Sequence, residues 1–127
     1  MKKIKMLKGE CWWGGKAPDG SFMPYDENSD TTVDIRGRSS ENDQSASMFL
    51  SSCGRYIWND NPFAADFKNG EIILREEKES PFDIQEGCKT LKGAYMAAMK
   101  KHFPFTGALP HKLFLKCQHL DPLQKQR

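Results

Sequence analysis

Two adjacent tryptophans, Trp12 and Trp13, lie in the glycine-rich run Gly9-Glu10-Cys11-Trp12-Trp13-Gly14-Gly15-Lys16, with Asp19 shortly after. Sugar binding needs flat aromatic faces for C–H stacking, with polar groups held beside them to hydrogen-bond hydroxyls. This loop supplies both. Arg55, in Gly54-Arg55-Tyr56-Ile57-Trp58, completes the set of candidate binding residues. The same four residues also have an ordinary packing use. One indole can plug a core while the other lies on its own loop, and Arg55 can pair with a carboxylate such as Asp60 or Asp66.

No catalytic constellation accompanies them. Glycoside hydrolysis sets two carboxyls about 5 Å apart for retention, or ~6.5–9.5 Å apart for inversion, across one pocket. Close acids occur at Asp26 with Glu27, Glu41 with Asp43 and Glu76 with Glu77, and solvated loops account for all of them. Ser51, Ser52 and the histidines at 102, 111 and 119 form no nucleophile–base pattern. The cysteines at 11, 53, 88 and 117 are far apart and include no C-x-x-C pair. The histidines are not at i, i+4 spacing, so neither a metal site nor a cofactor is expected. Reduced cysteines suit a cytosolic protein.

The elements that must position these residues follow from periodicity. Residues 9–30, rich in Gly, Pro, Asp and Asn, read as a loop carrying aromatics. Thr31 to Arg38 alternates Val33 and Ile35 with polar neighbours, a short strand. Ser39 to Ser47 reads as a loop, and Met48–Ser52 and Arg55–Trp58 as strands with Gly54 at a turn or bulge between them. Alternation puts Arg55 on the face opposite Tyr56 and Trp58, with both aromatics assigned to the core.

The sharpest local signal is Asn69-Gly70 between Phe63–Lys68 and Glu71–Glu76. A type I′ turn needs positive φ at both central residues, which Asn and Gly tolerate best. The resulting register sets Lys68 against Glu71, Phe67 against Ile72 and Ala65 against Leu74. Pro81 ends the strand run. Beyond it Leu91, Ala94, Tyr95, Ala98, Met99 and His102 or Phe103 recur at helical spacing. Thr90 can cap that helix and Pro104 stops it. Pro104 to Pro110 is a connector, Lys112–Lys116 a short strand, and Gln118–Arg127 a polar, frayed tail.

Leu, Ile, Val and Phe make up only 24 of 127 residues and mean hydropathy is −0.70. That is a thin supply for one core, and a chain of this length holds no more than one. Net charge is +2, and 11% of residues are aromatic, which places the chain among folded domains. Interspersed charges leave no basic stripe for nucleic acid. No run approaches the ~20 apolar residues of a membrane span. The start, Met1-Lys2-Lys3-Ile4-Lys5-Met6-Leu7-Lys8, lacks the apolar run of a signal peptide, which argues for a cytoplasmic protein.

Three stretches together resemble a known family. They are Gly9 to Gly20 with Met23-Pro24; Leu50 to Trp58 with Asn61-Pro62-Phe63; and Lys89-Thr90-Leu91 through Ala94-Tyr95 to Gly107-Ala108-Leu109-Pro110. In this order and spacing they are similar to the N-terminal region of bacterial α-glycosidases of glycoside hydrolase family 31. There a galactose-mutarotase-like β-sandwich precedes the catalytic barrel, and a helix and connector lead into it. The chain departs from the family at Gln44-Ser45-Ala46-Ser47, where Pro is usual, and at Cys53, where a basic or polar residue is usual. Cys117 to Arg127 follow no family pattern.

The resemblance implies a mainly β fold, an antiparallel sandwich with one C-terminal α-helix. Its parts are a sandwich region over 1–80, a helix and connector over 81–116 and a non-family tail over 117–127. A complete barrel needs ~250 residues, and the family's two catalytic aspartates lie on it, so no catalytic residue is assigned and no hydrolase activity is expected of the chain alone. A truncated or frameshifted gene product would have this pattern. The partners implied are an α-glycoside, with the Trp12–Asp19 loop walling its pocket, and the missing barrel. A free-standing carbohydrate-binding module and an inert fragment are the competing classes. Mutarotase-like sandwiches usually exceed this length, so low stability with exposed apolar surface is expected.

Overall fold

The computed structural model describes residues 1–37, 44–104 and 106–109. Its centre is the hairpin of β6 (Phe63–Lys68) and β7 (Glu71–Glu76). The register is the expected one, with Lys68 opposite Glu71, Phe67 opposite Ile72 and Ala65 opposite Leu74. Asn69 and Gly70 take φ of 54° and 72°, the left-handed conformations a type I′ turn requires. β1 (Lys2–Lys5) pairs outside β7 and β3 (Asp30–Asp34) outside β6, giving a four-stranded antiparallel sheet A ordered β1-β7-β6-β3.

Sheet B has the order β2-β4-β5-β8 and is also antiparallel. Its strands are β2 (Trp12–Lys16), β4 (Ser45–Ser51), β5 (Tyr56–Trp58) and β8 (Asp83–Gln85). Trp12, Phe49 and Ile57 from sheet B meet Val33, Phe63, Ala65, Phe67, Ile72 and Leu74 from sheet A in one buried core. Tyr25 enters from a loop and stacks on Phe67, with ring centroids 4.4 Å apart and planes at 15°. The chain is therefore a β-sandwich with one helix, as expected.

Four strands depart from the sequence expectation. β2 lies within the stretch read as a loop. Its glycines read as turn formers, yet Gly14 is there because of close approach: a Cβ on it would overlap the carbonyl oxygen of Met48 on β4. Gly14 has φ of 139° and Gly15 of 87°, and a bulge separates Gly14 from Lys16. β1 carries three lysines around Ile4, which hide its alternation and guard an edge from further pairing. β8, only three residues long, takes sheet B past residue 80 into the stretch read as helix and connector. β4 also starts at Ser45, inside the stretch read as loop.

Helix α1 (Leu91–His102) lies on the outer face of sheet B. The Thr90 side chain caps it by accepting from the Gly93 amide at 3.0 Å. Ala94 and Ala98 are buried against Tyr56, Met48 and Leu50, whereas Leu91 and Tyr95 are exposed. The expected stripe thus holds at Ala94, Ala98, Met99 and His102 and fails at Leu91 and Tyr95, which stay outside the seam where the small alanines let the helix settle close to the sheet. The strand expected at Lys112–Lys116 and the tail lie outside the described residues. Among the described residues no helix is long and apolar enough to cross a membrane.

Two predictions follow from this packing. Gly14→Ala must push β2 off β4 and adopt an unfavourable φ, at about 2 kcal/mol or more, so its melting temperature falls by at least ~5 °C; an unchanged melt would contradict the close approach. The Tyr25 hydroxyl is buried without a hydrogen-bond partner among the described residues. Burial, helped by the charge of Asp19, pushes its phenol up to about 12. A phenol raised in this way contributes its full stability below its ordinary pKa of ~10 and loses it as the pH rises toward the folded value. Tyr25→Phe should gain about 1 kcal/mol at pH 7 and lose part of the unfolding seen between pH 10 and 12. A destabilised variant would reveal a partner for the hydroxyl.

Candidate functional site

Strand alternation sends the two tryptophans in opposite directions. Trp12 points into the sandwich and is 0% exposed. Its indole Nε1 donates to Glu10 Oε1 at 3.0 Å, and the Arg55 guanidinium lies 5.4 Å from its ring centroid. Arg55 Nε donates to Glu10 Oε2 at 2.8 Å while its Nη2 donates to Glu10 Oε1, a bidentate pair. Nη2 also reaches the Lys5 carbonyl at 3.0 Å, and Nη1 reaches Glu86 at 3.4 Å. Burial pushes the Glu10 carboxyl up, but the hydrogen bond from Arg55, the Leu7 amide, Ser51 and the Arg55 charge together hold it below its ordinary value.

The partners expected for Arg55 are therefore corrected. Asp60 accepts from Trp58 Nε1 at 2.8 Å, and Asp66 accepts from Arg75 at 2.9 and 3.0 Å. Asp66 stands on the outer face of sheet A, because its neighbours Ala65 and Phe67 point inward. Arg55 shares the inner side of sheet B with Ile57. Trp12 is fully buried, so its indole presents no face to solvent, and Trp12 and Arg55 form a buried cluster with Glu10.

Trp13 points outward, opposite Leu50 across the β2–β4 pair, and is partly exposed. It lines an open groove of about 610 Å³ with Lys16, Met23, Gln44, Met48 and Leu50. The lining is mostly apolar, with the polar side chains of Lys16, Gln44 and Ser45 in it, so the groove combines a ring face with polar groups. Asp19 sits partly exposed in the 3₁₀ turn Ala17–Phe22 and is not among the groove's lining residues. Of the four candidates, the fold brings Trp12 and Arg55 together inside and leaves Trp13 on the surface with the groove.

A second polar cluster sits at the seam between α1 and sheet B. Asp83 Oδ2 accepts from the Tyr56 hydroxyl at 2.7 Å and from Lys101 Nζ at 3.0 Å, and lies 2.7 Å from His102 Nε2. Gln85 donates to Oδ1 at 2.7 Å. The His102 ring stacks on Trp58, with centroids 4.3 Å apart and planes at 18°. Burial pushes the Asp83 carboxyl up, yet the donors from Gln85, Tyr56, Lys101 and His102 outweigh it and hold the group well below the carboxylate range. Tyr56 is pushed above the usual phenol range by burial and by the bond to Asp83.

Glu10, Asp83 and Glu86 escaped the sequence reading. Glu10 had one usable signal, its i−2 position to Trp12, which gives it the same side in extended chain. Asp83 had none, since a three-residue edge strand leaves too little alternation to detect. Cys11, Cys53 and Cys88 are free thiols, and among the described residues no three His, Cys, Asp or Glu side chains gather to hold a metal ion. Compared with known proteins, the chain matches no family model and no curated protein.

A carboxyl held low contributes stability above its ordinary range and loses it as the pH falls through its folded value. Asp83→Asn should therefore cost about 1–2 kcal/mol at pH 7, with the gap to the native chain narrowing as both are titrated from pH 4 downward. A gap that stays constant with pH would mean that Asp83 acts by shape and not by charge.

Proposed function

We propose that this chain is the non-catalytic N-terminal β-sandwich region of a family 31-like α-glycosidase, and that it meets carbohydrate at the outer-face groove around Trp13. The observation that carries the proposal is the partly exposed indole of Trp13 in a groove whose lining combines Met23, Met48 and Leu50 with Gln44 and Ser45. An aromatic plate with adjacent polar groups suits the two-sided chemistry of a pyranose.

The three stretches that carry the family resemblance support the same reading by where they lie. The first contains β2 and the 3₁₀ turn, the second the end of β4 with β5, and the third α1. Apart from Asn61-Pro62-Phe63, which leads into β6 of sheet A, they build sheet B and its helical cover, the layer that carries the groove. In the intact enzyme this layer would support the barrel and lend it a sugar-contacting wall. The barrel's own aspartates would carry the chemistry, and no residue of this chain is given a catalytic role.

A free-standing carbohydrate-binding module is the second reading. Calorimetric titration of the folded chain with linear α-glucan oligosaccharides tests the shared core of both readings. Trp13→Ala should weaken binding about tenfold, ~1.4 kcal/mol, with an unchanged melt. Flat titrations with a cooperative melt would favour an inert fragment. Turnover of aryl α-glycosides, lost on mutating one of the chain's own carboxylates, would overturn the non-catalytic assignment.

A further inference from the structure

Of the eight large apolar side chains exposed among the described residues, five lie between 91 and 109: Leu91, Tyr95, Met96, Phe103 and Leu109. Four of them belong to α1 and its C-terminal cap, where Phe103 also meets Trp58 of β5 edge to face. Met96, Met99, Lys100 and Phe103 follow i, i+3, i+4, i+7 spacing and line an open groove of about 690 Å³, closed at one end by Pro104. A groove of this spacing is the shape that receives the ridge of another helix. Two methionines give its wall an adaptable surface.

Charge selects the occupant. From Cys88 to Pro104 the chain carries Lys89, Lys92, Lys100 and Lys101 and no acidic residue. Lys101 is held by Asp83, whereas Lys92 and Lys100 flank the apolar face without an ion pair among the described residues. A second copy of this helix would bring lysine against lysine in either direction, which costs affinity.

We propose that the outer face of α1 is a docking site for an amphipathic helix of a partner protein whose apolar ridge is bordered by Asp and Glu. This surface is separate from the Trp13 groove and does not depend on the sugar-binding reading. The partner's ridge lies along Met96, Met99 and Phe103, and its carboxylates meet Lys92 and Lys100. Trp58, whose ring centroid is 5.2 Å from that of Phe103, sits behind the groove and reports its occupancy by fluorescence.

The test uses the full chain and two synthetic helical peptides, each with Leu at i, i+3, i+4 and i+7. One carries Glu at the flanking positions and the other Lys. The Glu peptide should bind in the micromolar range and the Lys peptide at least tenfold more weakly, with the difference shrinking in ~0.5 M salt. Met96→Glu, at an exposed position, should keep the native melt and lose the Glu peptide. Lys100→Glu should weaken the Glu peptide and strengthen the Lys peptide, a reversal that misfolding cannot produce. Equal binding of both peptides, no binding at millimolar concentration, or binding unaffected by Met96→Glu overturns the proposal. So does a concentration-dependent dimer that Met96→Glu dissolves, which would make the occupant a second copy. Sedimentation with phosphatidylglycerol vesicles in preference to the Glu peptide would likewise overturn it, in favour of a lipid surface.

Discussion

The buried pair of Glu10 and Arg55 is the constraint around which this sandwich closes. Its atoms touch the end of β1 through the Lys5 carbonyl, the segment before β2 through the Leu7 amide and Trp12, and the β8–α1 link through Glu86. Arg55 itself leads into β5, and its amide donates to Ser51 at the end of β4. One ion pair thus gathers both sheets and the approach to the helix at a single end of the molecule. A pair of this kind is an uncertain source of net stability, but losing one partner strands a buried charge at about 3–5 kcal/mol. In a core with few large aliphatic residues, that penalty weighs against arrangements that separate the pair.

Sheet B depends on this closure for its two different faces. Trp12, Phe49 and Ile57 are committed to the core, so their neighbours must face outward. Tyr56 and Trp58 are then covered by α1, whose buried Ala94 and Ala98 bring it close. The covering helix is tied at its C-terminal end by Asp83, which holds Tyr56, Lys101 and His102 together. Because the helix covers only the β4–β5 side, Trp13 on β2 stays partly exposed, and Met48 and Leu50, packed on one side against the helix cluster, line the groove beside it. The outward side of the same helix forms the second groove at Met96 and Phe103. Both surfaces are consequences of where one short helix lies.

Local chemistry made part of this fold legible in advance. Asn69-Gly70 specifies its turn without reference to anything distant, and the turn then sets the β6–β7 register residue by residue. Thr90 caps α1 and Pro104 limits it for equally local reasons. The parity of Arg55 against Tyr56 and Trp58 also holds, since alternation is a property of any extended chain. β2 was illegible because Gly14 is selected by the backbone of Met48 on β4, distant along the chain though adjacent in space. The helix stripe was read with Tyr95 inside because spacing alone cannot tell which apolar residues are small enough for the seam.

The candidate site divides along the same line. Residue type and spacing determined by themselves that Asn69-Gly70 closes a two-residue hairpin, that Arg55 must stand apart from Tyr56, and that the molecule is an antiparallel β structure with one capped helix. These are consequences of φ, ψ and side-chain period, which each residue carries locally. Only the tertiary structure decided which tryptophan was buried, that Glu10 and not Asp60 or Asp66 answers Arg55, and that Asp83 anchors the helix. Those outcomes are settled by which surfaces meet across the sandwich and by the electrostatic need to pair every charge taken out of water.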